Sequence, residues 1–87
     1  MVKMFTSTEM QALIEIHNLP ESLRDKKQVI TMLQVKIGLK ERHSLYPVLL
    51  KLKEHELIRE YYDKIIVTTT GELLAFALKE ALKKRGD

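Results

Sequence analysis

The 87 residues, 45% apolar and 31% charged, describe one small globular domain and exclude a disordered chain. The net charge of +3 is modest, and zero cysteines exclude a disulfide frame and thiol chemistry. No uncharged run exceeds eight residues, far short of the roughly 20 that a membrane span needs.

A core of this size is marginal alone, so a partner subunit is expected. The N-terminal stretch MVKMFTSTEM has no apolar segment of a secretory leader, which makes the cytoplasm the expected compartment. Thr6-x-x-Glu9 is a capping box, and it predicts a first helix over Ser7 to His17. That helix is expected to bury Met10, Leu13, Ile14 and His17. Pro20 ends it, because proline disfavours helix at the residue before it. Pro20 to Leu23 then forms a turn or a short helical start.

A second helix is predicted over Asp25 to Ile37, where Val29, Ile30, Leu33 and Ile37 make an apolar stripe with Met32 at its edge. Gly38 supplies the left-handed residue that closes it. Leu39 to His43 is read as the turn of a helix-turn-helix. The third helix, Ser44 to Glu56, organises the rest. At about 100° per residue, Leu45, Val48, Leu49 and Leu52 share one face, and Tyr46, Pro47, Lys51 and Glu54 share the other. Ser44 is the expected N-cap, and Pro47 sits in the first turn, where its missing N–H costs nothing.

The segment from Leu57 to Thr69 reads as a hairpin around Tyr62, Asp63 and Lys64. Thr70 is the expected cap of a last helix over 71–85, with Leu74, Ala77, Leu78 and Ala81 facing the core. Leu73, Phe76 and Leu82 are then left facing outward, more apolar surface than a single small domain covers. The predicted order is α-α-α-β-β-α. It is a mostly helical α+β fold of the winged helix-turn-helix type, one domain over 1–87, with 71–85 as the dimerisation helix.

Basic residues gather around the third helix. Lys36, Lys40, Arg42, Lys51 and Lys53 stand there against Glu41 alone, the pattern that phosphate attraction requires. A second cluster, Lys79, Lys83, Lys84 and Arg85, is read as cations complementing a helix C-terminus. The outward side of a helix N-terminus is where base edges are met in the major groove, which selects His43, Ser44, Tyr46 and Pro47. Lys36, Lys40, Arg42 and Lys51 are the phosphate candidates, and Lys64 reaches from the wing tip. The competing reading of Tyr46 has it lying across the hairpin as packing.

The stretch LYPVLLKLKEHELI resembles the recognition helix of PadR-like winged-helix transcriptional regulators, whose pattern reads roughly LYPxLxrLexxGLI. VTTTGELLAF is similar to that family's wing exit and final helix, through Thr68, Gly71, Leu73 and Leu74. The two segments make about 24 of the 87 residues, in the family's order. The resemblance implies a dimeric repressor, its last helix dimerising and its tyrosine-bearing helix in the major groove. Glu56 stands where the family has Gly, the wing is short, and Tyr61 and Tyr62 lie on the first strand. A compact archaeal or viral winged helix fits these departures equally.

No chemistry of an enzyme is visible. His17, His43 and His55 never stand at the spacing of a metal pair, and no nucleophile sits beside a base. The expected activity is sequence-specific binding of double-stranded DNA as a homodimer, without a cofactor and away from membranes. The alternative is a winged-helix module for protein–protein contact, favoured by Glu41, Glu54 and Glu60 near the reading face. A ligand-gated sensor with its pocket at the dimer seam is a third possibility.

Overall fold

The computed structural model describes residues 5–38 and 42–85, apart from the side chains of Leu23, Arg42 and Arg85. The elements run α1 (Ser7–Asn18), α2 (Lys26–Ile37), α3 (Leu45–Glu54), β1 (Ile58–Tyr61), β2 (Lys64–Val67) and α4 (Thr69–Arg85). One-turn 3-10 segments, Glu21–Leu23 and Arg42–Ser44, lead into α2 and α3. The fold is α+β, mostly helical, in the expected element order.

The local signals near the N-terminus act as read. The Thr6 hydroxyl accepts from the Glu9 N–H, and the Glu9 carboxylate accepts from the Thr6 N–H. Gly38 closes α2 at φ 81°, a conformation that glycine adopts without a Cβ penalty. In α1, however, the buried residues are Ala12, Leu13 and Ile16. Met10, Ile14 and His17 stay only half-buried.

One core holds the elements together. Ala12, Leu13 and Ile16 of α1 meet Val29, Ile30 and Leu33 of α2, and Leu45, Val48, Leu49 and Leu52 of α3. Leu57, Ile58 and Ile65 close it from the hairpin, and Ala75 closes it from α4. Strands β1 and β2 are antiparallel, with Ile58 opposite Val67 and Tyr61 opposite Lys64. The two-residue turn between them puts Tyr62 at φ 54°. Asp25 bridges to Lys64 on the free edge of β2, while the Ile65 N–H donates to the Arg24 carbonyl and the Lys26 N–H to the Asp63 carbonyl. The hairpin is thereby fastened to the start of α2.

Of two expected caps, one makes no side-chain bond and the other falls elsewhere. Ser44 holds the N-cap position of α3 but has helical backbone angles and makes no side-chain cap, because it ends a 3-10 turn that runs straight into the helix. The cap of α4 is Thr68, two residues before the expected Thr70. Its hydroxyl accepts from the Gly71 N–H at 3.0 Å and donates to the Glu56 carbonyl at 2.6 Å.

That same junction sets the rotation of α4. A Cβ at Gly71 would collide with the Leu57 carbonyl, so this face of the helix lies against the connection between α3 and β1. Ala75 and Leu78 follow at i+4 and i+7 and turn inward with Leu74. Ala77 and Ala81, expected in the core, are exposed instead.

Candidate nucleic-acid interface

The buried positions of α3 place the rest of its circumference. Its outward strip is His43, Ser44, Tyr46, Pro47, Leu50 and Glu54, all exposed. Tyr46 is 51% exposed and Leu50 52%, so neither is core packing. Tyr46 also borders a groove of about 260 Å³ between α3 and the hairpin, so its ring lies beside the hairpin without being buried under it.

The lysines of α3 do not join that strip. Lys51 and Lys53 occupy the two edges of the buried stripe, and each long side chain folds toward the neighbouring element. The Lys51 ammonium lies 3.2 Å from the Glu9 carboxylate and 5.5 Å from the Phe5 ring centroid. Its expected place on the outer face is corrected: it is half-buried against the N-terminal segment. Lys53 turns the other way, 3.1 Å from Glu60 on β1. Glu60 also takes Lys26, again at 3.1 Å. The hydrogen bonds from Lys53 and Lys26 hold the Glu60 carboxyl below its usual range. For Glu9, the Thr6 N–H is the leading cause of a similar depression, with Lys51 adding to it.

Of the other phosphate candidates, Lys36 is exposed in the last turn of α2. Lys40 and the Arg42 side chain lie outside the described residues. Lys64 begins β2 directly after the turn and pairs with Asp25 at 3.1 Å, both about half exposed. The outer face of the hairpin adds Arg59, Tyr61 and Ile66, all exposed, with Tyr61 and Tyr62 in edge contact at 4.6 Å between ring centroids. Sequence reasoning passed over Lys26, and it counted Lys53 in the basic cluster and Glu60 near the reading face without making either a contact residue. Strand alternation was the signal for Glu60, since Ile58 inward requires Glu60 inward.

The proposed dimer residues are open. Leu73 is 65% exposed, Phe76 54% and Leu82 55%. Phe76 rests one edge on His17 of α1 at 4.9 Å, beside the Lys79 ammonium. Lys79 donates to His17 Nδ1 at 2.7 Å. Burial foremost, and then the Lys79 charge, holds the His17 imidazole below its ordinary pKa.

Among the described residues, no group of three or more His, Cys, Asp or Glu could hold a metal ion. None of their helices is long and apolar enough to cross a membrane. No family model, curated protein or solved structure matches the chain, so the likeness of its LYP helix rests on those residues alone.

Proposed function

We propose that this protein binds double-stranded DNA as a homodimer and regulates transcription, as a repressor that occupies a promoter. In this reading the fold is a winged helix. The outward strip of α3 enters the major groove, the β1–β2 hairpin is the wing, and α4 supplies the dimer contact. The observation that carries the reading is the side-chain partition of α3. Four buried apolar residues fix the helix, while Tyr46, Pro47 and Leu50 project into solvent beside a hairpin. Tyrosine hydroxyls bond phosphates or base edges, and apolar groups meet thymine methyls.

A second reading, docking of another protein without nucleic acid, is favoured by one specific feature. Lys26, Lys51, Lys53 and Lys64 around that strip are all matched to carboxylates. Selection of bound duplexes from a random pool separates the two. DNA binding yields enriched, near-palindromic half-sites about one helical turn apart, roughly 34–36 Å. A pool that never departs from random sequence supports protein docking.

A further inference from the structure

The groove between α3 and the hairpin contains a charge arrangement of its own. Alternation along β1 turns Glu60 inward, where its two oxygens face two lysines from different elements. Oε2 lies 3.1 Å from the ammonium of Lys26, in the first turn of α2, and Oε1 lies 3.1 Å from that of Lys53, at the end of α3. Tyr46 and Leu50 border the same groove. The lysine side chains are each 38% exposed and that of Glu60 23%, so the two lysines are the more open members of the cluster. Among the described residues, each ammonium gives one of its three donors to Glu60.

We propose that Lys26 and Lys53 form a phosphate subsite for the nucleic-acid backbone, and that Glu60 is its built-in competitor. The inference rests on the DNA-binding reading and deepens it. A phosphodiester carries the same single negative charge as the carboxylate. With Glu60 in place, a phosphate arriving between the lysines meets a neighbouring anion and ammonium groups already engaged. Without that charge, the same two lysines are available to a phosphate. Glu60 therefore sets how tightly this flank of α3 grips a duplex, leaving the outward strip to read the sequence.

The test is duplex binding by fluorescence anisotropy across a salt series, on the full chain. Wild type, Glu60→Gln, Lys26→Gln/Lys53→Gln and the triple variant are compared, with a thermal melt of each. Glu21→Gln, an exposed acid in the one-turn segment before α2 and away from the outward strip, measures plain removal of charge. Each phosphate gained steepens the salt slope by about 0.9 and tightens binding about fivefold near 0.15 M salt. Glu60→Gln is expected to gain at least this much, and more than Glu21→Gln. The gain is expected to shrink at least about threefold in the lysine-free background. Glu60→Thr, neutral and suited to a strand, gives the same reading should the glutamine variant not fold.

Equal gains in both backgrounds would overturn the subsite, since they mean charge removal alone. Weaker binding by a Glu60 variant that melts like wild type would also overturn it, making Glu60 a group that positions the lysines for contact. A wild type without salt-dependent duplex binding removes the DNA reading and the subsite together. A wild type that binds, with Glu60→Gln identical to it, removes the subsite alone.

Discussion

The Thr68 hydroxyl lies 2.6 Å from the Glu56 carbonyl oxygen and ties the start of α4 to the end of α3 across the base of the hairpin. Glu56 is itself at φ 60°, the left-handed position that follows a helix. The Leu57 N–H returns to the Leu52 carbonyl and the Glu56 N–H to that of Lys53, the paired bonds of a Schellman motif. A left-handed non-glycine residue costs about 1–2 kcal/mol, and glycine gives back about 0.5–1 kcal/mol in chain entropy. Glu56→Gly is therefore expected to stabilise the fold by about 0.5–1 kcal/mol. Gly71→Ala is expected to do the opposite and strongly, because its Cβ has the Leu57 carbonyl in its place. Urea denaturation of both variants checks the pair, and equal midpoints would contradict the described junction.

Tyr46 and Leu49 separate reading from packing. Tyr46→Ala is expected to lose DNA affinity at nearly unchanged melting temperature, because half its surface is already in solvent. Leu49→Ala removes a buried side chain and is expected to cost about 2–5 kcal/mol of stability. A Tyr46→Ala protein that melts many degrees lower yet binds normally when folded would make the tyrosine a packing residue.

The contact between His17 and Lys79 gives a pH dependence whose sign is fixed. The folded imidazole has a pKa below the ordinary 6.5, so the unfolded chain binds its proton more readily. The associated stability is fully present above about pH 6.5 and is lost as pH falls through the lower folded value. Protonation would set the imidazolium against the Lys79 ammonium and loosen α1 from α4. Glu9 and Glu60, depressed below 4.5, lose their contributions only in a more acidic window. Urea midpoints are expected to fall first below pH 6.5, and His17→Gln is expected to flatten that step while keeping the acidic one. An unchanged midpoint down to pH 5 would contradict this.

The outward residues of α4 make association measurable. Burying a large apolar side chain is worth about 1.5–3 kcal/mol, and a symmetric pair buries Leu73 and Phe76 twice. Sedimentation equilibrium at micromolar concentration is expected to give a dimer, and Phe76→Lys a monomer. A wild-type monomer of 10.2 kDa that still binds DNA tightly would remove the dimer.

What was legible in the sequence was local. The capping box at Thr6 and Glu9, the closing Gly38 and the buried stripe of α3 depend on neighbours a few residues apart, and the chain adopts all three. The rotation of α4 was not legible, because it is set by Gly71 meeting the Leu57 carbonyl across the hairpin. The same junction moves the cap from the expected Thr70 to Thr68, whose hydroxyl accepts from the Gly71 N–H. The destinations of Lys51 and Lys53 were hidden for a related reason. Residues at the edge of a helix stripe turn toward whichever element packs alongside, and the sequence does not say which one does.

The central claim, DNA binding through α3 and its flanks, is tested most directly by the salt dependence of duplex affinity. With Lys51 and Lys64 matched to carboxylates, two or three phosphates per subunit are expected, hence about four to six per dimer. Log K should then fall with log[salt] at a slope between about −3.5 and −5.5. Lys36→Ala is expected to lower that slope by about one per subunit, and Lys51→Ala to leave it nearly unchanged. A wild-type slope shallower than about −2 would contradict the account.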